Sequence, residues 1–139
     1  MTIILDSNFL FAITFKKDKN FKRAYELFNQ LKDNKVRPLL TNNLVLEETL
    51  TLVVARFNGN AFHLDKVYEI FWGDDNFFQI EYLRQDEYKT IFNDLKKYTT
   101  PKRLLSSVDA SLITLYHKYN ADKILSFDNH FDNILERLY

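Results

Sequence analysis

The sequence predicts an α/β domain, a three-layer α/β/α sandwich around a central, mostly parallel sheet. Short apolar runs alternate with segments of helical period, and the helical segments exceed the ten or so residues that a crossover between parallel strands needs. Only two Gly and two Pro against thirteen Phe and eight Tyr describe a densely packed chain with few tight turns. At 139 residues and 46% hydrophobic composition, a single domain spanning 1–139 with a real core is expected.

In chain order, TIIL (2–5) and RPLLT (37–41) read as short buried strands. Between them NFKRAYELFNQLKDN (20–34) has helical spacing at Phe21, Ala24, Tyr25, Phe28 and Leu31. NNLVLEETLTLVVARFNGN (42–60) is a long helix ending at Gly59, and AFHLDKVYEIFWGDD (61–75) a helix closed by Gly73. FFQIEYL (77–83) alternates as a strand does, and QDEYKTIFNDLKKY (85–98) has helical period. VDASLITLYHKYN (108–120) is a more apolar helix, and DKILSF (122–127) a buried strand. FLFAITF (9–15), on a short N-terminal helix, has more apolar surface than one helix face buries, which points to a homodimer patch.

Cysteine is absent, which excludes a disulfide framework and a thiolate metal site and fits a reducing cytoplasm. No secretory leader is present and no apolar run approaches the roughly 18 residues that span a bilayer, so a soluble cytoplasmic protein is expected. Nineteen basic residues balance nineteen acidic ones, so overall charge gives no evidence for a nucleic-acid partner.

The acids carry more information. In a parallel α/β sheet, ligands bind at the carboxyl ends of the strands, where Asp6 follows TIIL and Asp128 follows KILSF. At about 100° per residue, Glu48 is flanked by Leu44, Leu52 and Ala55, and Glu47 by Thr51, Val54 and Asn58, so Glu48 is the one that points inward. Asp109 heads the core-facing stripe Leu112, Ile113 and Tyr116. Each has an ordinary structural reading too. Asp6 terminates a strand before Ser7 as a helix cap, Asp128 makes an Asx turn, Glu48 sits half-exposed beside a core face, and Asp109 completes a capping box with Ser106. Together, four such carboxylates without an obvious internal Arg or Lys would repel one another unless a hard cation lay between them. Carboxylates without Cys select Mg²⁺ or Mn²⁺ over zinc, and His63, His117 and His130 lack the spacing of a zinc site.

In that order and context, ILDSN, VLEETLTL, LLSSVDASLI and ILSFDNHF, the chain resembles the PIN domain family of metal-dependent ribonucleases, which includes VapC-like toxins of toxin–antitoxin pairs. The resemblance covers nearly the whole chain. It implies that Asp6, Glu48, Asp109 and Asp128 hold one or two divalent ions, Mg²⁺ or Mn²⁺, and carry catalysis. Ser7, Asn8 and Ser126 then orient the carboxylates or a metal-bound water. His130 and Asp132 follow Asp128 closely enough to approach the metal, and surface roles are the expectation because the four acids already suffice. The implied activity is endoribonucleolytic hydrolysis of RNA, with a cognate antitoxin as a partner.

Substrate grip has to come from local charge. KKYTTPKR (96–103) places Lys96, Lys97, Lys102 and Arg103 before the loop to Asp109, where they can hold phosphates, with Tyr98 available to stack a base. FKKDKNFKRAY (15–25) is a second basic cluster. The competing readings are a housekeeping RNA-processing nuclease of the same family and a non-catalytic module that docks RNA or protein. A phosphatase of another α/β family ranks lower, because DSN lacks the second aspartate that haloacid-dehalogenase-like enzymes require.

Overall fold

The computed structural model describes residues 1–75 and 77–139. Strands β1 (Ile3–Leu5), β2 (Leu39–Asn42), β3 (Gln79–Glu81), β4 (Lys123–Leu125) and β5 (Arg137–Leu138) form one sheet in the order β3-β2-β1-β4-β5. Every pairing is parallel. The crossovers are α1 (Ser7–Thr14) with α2 (Phe21–Asp33), then α3 (Asn43–Phe57) with α4 (Ala61–Trp72), then α5 (Glu87–Tyr98) with α6 (Ser107–Lys118). A 3-10 turn, Asn129–Phe131, lies between β4 and β5.

Strand order dictates the layers. The chain steps outward from β1 to β3 in one direction, then returns past β1 to β4 and β5 in the other. Right-handed crossovers in opposite directions lie on opposite faces, so α1–α4 form one layer and α5–α6 the other. The contacts agree, since α1 packs against α2, α3 and α4, and α5 packs against α6. The reversal occurs between β1 and β4, the position beyond whose carboxyl ends sheets of this kind bind ligands.

The core is built where the apolar runs predict. Ile3, Ile4, Leu5, Ile124 and Leu125 are fully buried, and α2 turns Ala24, Leu27 and Leu31 inward at helical spacing. The apolar surface of α1 is not left for a second copy. Phe9, Leu10, Phe11, Ala12 and Phe15 are all buried within the chain, under α2, α3 and α4, which removes the basis for a homodimer patch there. Burial of one such side chain is worth roughly 1.5–3 kcal/mol, so this short helix is anchored by packing from several sides.

Helix ends follow local chemistry. α3 stops where Asn58 and Gly59 both take left-handed backbone, at φ 52° and 69°. Gly73 after α4 has an ordinary φ, and its need for glycine is space, because a Cβ would collide with the carbonyl oxygen of Glu69. The observed strands are shorter than the apolar runs, and β5 had no counterpart in the sequence reading. Among the described residues, no helix is long and apolar enough to cross a membrane.

Candidate metal centre

Asp6 directly follows β1 and is itself the N-cap of α1, a role the sequence reading gave to Ser7. Its Oδ1 accepts the Ser7 N–H at 2.7 Å, and its Oδ2 accepts the Ser126 hydroxyl at 2.7 Å. Ser126 follows β4 and is fully buried. Its oxygen also accepts the Asp128 N–H at 3.0 Å and the Asn8 amide at 3.2 Å, while Asn8 Oδ1 accepts the Phe127 N–H at 3.0 Å. One hydroxyl thus joins the ends of the two strands that flank the topological reversal.

Glu48 comes from the second turn of α3 and accepts a short hydrogen bond from the Ser7 hydroxyl. It is half-buried while Glu47 is exposed, as the helical period predicts. Asp109 makes the full capping box at the start of α6. Its Oδ2 accepts the Ser106 N–H at 3.0 Å, and its own N–H donates to Ser106 Oγ at 3.0 Å. Asp128 accepts the His130 N–H at 2.9 Å and so starts the 3-10 turn. The local roles and the convergence therefore coexist. Capping fixes where Asp6, Asp109 and Asp128 stand, and the topology brings them toward Glu48 on α3.

The electrostatics register that convergence. Asp6 is 3% exposed, and burial pushes its carboxyl up to about 7. The bonds from Ser126 and the Ser7 N–H resist that rise, while repulsion from Asp109 and Glu48 adds to it. Glu48 is likewise raised, first by burial and then by Asp109 and Asp128, against the stabilising hydroxyl of Ser7. Among the described residues, no Lys or Arg forms an ion pair with any of the four acids. Four hard oxygen donors that repel one another, with no Lys or Arg paired to them among the described residues, are a donor set suited to a divalent ion.

His130 keeps a side chain 40% exposed yet stands beside two of the acids, the approach that its closeness to Asp128 in sequence left open. Its Nδ1 lies 3.4 Å from Asp109 Oδ2 and 3.3 Å from Asp128 Oδ2, and donor atoms of the three residues fall within 4.8 Å of one another. The 3-10 turn turns the ring back over the carboxylates, and the only sequence signal is its distance of two residues from Asp128. Asp132 goes elsewhere, into a two-pronged pair with Arg137 at 2.7 and 3.2 Å. His63 stacks on Phe57 at 3.9 Å and His117 sits in the last turn of α6, so the three histidines do not converge.

Asn42 was missed by the sequence reading. It is fully buried, its Oδ1 caps α3 through the Val45 N–H at 3.0 Å, and its amide donates to Ser111 Oγ at 3.0 Å. It therefore ties the helix that carries Glu48 to the helix that carries Asp109. The TNN run ahead of an apolar helix was the available signal, a cap in the preferred residue type.

In the basic segment, Lys96, Lys97 and Lys102 are exposed and Arg103 is partly buried in a turn that pairs with Thr100. None of the four forms an ion pair among the described residues. Tyr98 packs against the core and has the Lys97 ammonium 5.1 Å from its ring centroid, so its ring is not the free stacking platform the sequence suggested. A cavity of about 830 Å³ lies between α1, α2 and α4 at the opposite end of the sheet and takes in none of the predicted site residues.

The model of the PIN domain family matches residues 3–136. The chain belongs to the PIN domain family. Among solved structures it is similar to the Mycobacterium tuberculosis toxin VapC20, described as cleaving the sarcin-ricin loop, at 22% identity and a TM-score of 0.72, over 93% of this chain and 92% of that one. It is also similar to a chain of a toxin–antitoxin complex from Klebsiella pneumoniae, at 14% identity and a TM-score of 0.60, over 99% of this chain and 96% of that one. No curated protein matches the sequence. PIN membership fits the observed parallel α/β sheet.

Proposed function

We propose that this PIN domain, acting as one unit over residues 1–139, is a divalent-metal-dependent endoribonuclease and the toxin of a type II toxin–antitoxin pair. The observation that carries the reading is that Asp6, Glu48, Asp109 and Asp128 lie near enough to repel one another while, among the described residues, none is paired with a Lys or Arg. Those four residues would hold Mg²⁺ or Mn²⁺. Bound there, such an ion supplies a water of lowered pKa and neutralises charge on the phosphoryl oxygens.

The remaining residues position. Ser126 holds Asp6 and the backbone of Asp128 in fixed relation, and Ser7 fixes the Glu48 carboxylate. Asn8 braces the loop after β4 through Phe127. Lys96, Lys97, Lys102 and Arg103 grip phosphates beside the scissile one, since they carry unpaired positive charge on the segment leading to Asp109. The similarity to a toxin that cleaves an RNA loop supports an RNA substrate, and the similarity to a chain of a toxin–antitoxin complex supports an antitoxin partner. Such a substrate places the activity in the cytoplasm.

The test is cleavage of a mixed structured RNA by chelator-treated protein, with and without added Mg²⁺ or Mn²⁺. Cleavage is expected only with metal, and it should vanish in Glu48→Gln while persisting in Glu47→Gln. RNA binding without cleavage under every metal condition would replace the enzyme with a docking module.

A further inference from the structure

The contacts of His130 are long for a ring hydrogen bond and are shared between two acceptors. A single N–H aims at one acceptor at about 2.7–3.2 Å. Here Nδ1 faces two carboxylate oxygens from two separate elements, at 3.4 Å from Asp109 and 3.3 Å from Asp128. Bonds of about 2.1 Å to one ion place neighbouring donor atoms about 3.0–3.4 Å apart, for octahedral through tetrahedral arrangements. The two distances that involve His130 match that spacing.

The position is also held from the backbone. Asp128 accepts the His130 N–H at 2.9 Å, which leaves its other oxygen toward the ring. Two residues on, Asp132 is gripped by Arg137, whose guanidinium also donates to the Ser126 carbonyl at 3.2 Å. Both ends of the loop carrying Asp128 and His130 are therefore tied to one side chain. His63, by contrast, lies stacked among aromatic rings.

We infer that His130 is a nitrogen ligand of the metal centre, which makes the site a mixed carboxylate–imidazole centre that prefers Mn²⁺ to Mg²⁺. The inference rests on the metal-dependent reading above and adds selectivity to it. Imidazole is a good donor for transition ions, whereas Mg²⁺ prefers oxygen and holds its waters tightly. An all-carboxylate site would discriminate between the two ions less.

The experiment titrates chelator-treated full-length protein with Mn²⁺, followed by electron paramagnetic resonance, and with Mg²⁺ by competition. Wild type, His130→Ala and Asp109→Asn are compared. His130→Ala should weaken Mn²⁺ binding by roughly 10-fold or more while changing Mg²⁺ affinity less than about threefold. Pulsed spectra of wild type with Mn²⁺ should show coupling to a ¹⁴N nucleus, a readout that needs no variant. An unchanged Mn²⁺-to-Mg²⁺ ratio in His130→Ala, or absence of the nitrogen coupling, overturns the role of His130, and the metal site itself stands if Asp109→Asn has lost both ions. Failure of wild type to bind either ion overturns both readings.

Discussion

Asp128 and Asp132 sit four positions apart on one loop and meet opposite environments. Asp132 faces the Arg137 guanidinium, and that hydrogen bond holds its carboxyl below the ordinary range. Asp128 faces Asp109, His130 and the field of Glu48, with no Lys or Arg paired to it. The same contrast holds more widely. Glu87, on α5, is paired with both Arg84 and Lys118, while Asp6 is buried and pushed up to about 7. Asp132 and Glu87 are each given a cation by the chain itself. At the carboxyl ends of β1 and β4, Asp6 and Asp128 have no paired Lys or Arg among the described residues, which is the feature the proposed metal site rests on.

The largest effect comes from breaking the uncompensated side. Asp128→Asn should reduce metal affinity on the order of 100-fold and abolish RNA cleavage, because a carboxylate-built site loses an anionic donor. Titration calorimetry with Mn²⁺ reads the first effect and a cleavage assay the second.

Next is the pH dependence of the metal-free protein. An acid raised from 3.8 to about 7 on folding keeps its proton in the native state over a range where the unfolded chain has lost it. Stability from this group is therefore fully present below the unfolded value and is lost as pH climbs toward about 7. In chelator, Asp6 should account for a loss on the order of 3 kcal/mol between pH 5 and pH 8. Denaturant melts of wild type and Asp6→Asn across that range isolate it, since the variant should lack that part of the slope.

The compensated side is tested by Arg137→Ala. The Arg137 side chain is 9% exposed, and its guanidinium forks onto Asp132, reaches the Ser126 carbonyl and stacks 3.6 Å from the Tyr139 ring centroid. Removing it should cost about 2–3 kcal/mol in urea unfolding, through lost packing and lost charge-assisted bonds. The smallest effect belongs to Glu47→Gln. This exposed neighbour of Glu48 should change stability by less than about 0.5 kcal/mol and leave cleavage intact.

Most of the sheet was legible because its elements carry a period. The helical period also separated Glu48 from Glu47, a distinction that needs only the angle between successive residues. β5 was not legible, because two residues hold no period and Arg137–Leu138 become a strand only by pairing with β4. The contribution of His130 depends on a 3-10 turn started by Asp128, and nothing in DNH announces which way that ring will face. Asp109 shows a different limit. The sequence posed capping box and cluster as rivals, yet the structure uses one carboxylate for both, since a cap residue stands at a fixed point that the fold can aim. The surface of FLFAITF looked unburied because periodicity describes one helix at a time, and three other helices cover it.

Thermal melting of the full-length protein near pH 7.5, in chelator and then with a saturating excess of Mn²⁺, tests most directly whether the uncompensated acids exist to hold a cation. An ion that binds only the folded state at about 100 times its dissociation constant stabilises by about 2.7 kcal/mol. The account predicts a rise of several degrees in wild type that disappears in Asp128→Asn and survives in Glu47→Gln. Equal melting temperatures with and without Mn²⁺ in wild type, or an equal rise in Asp128→Asn, would contradict it.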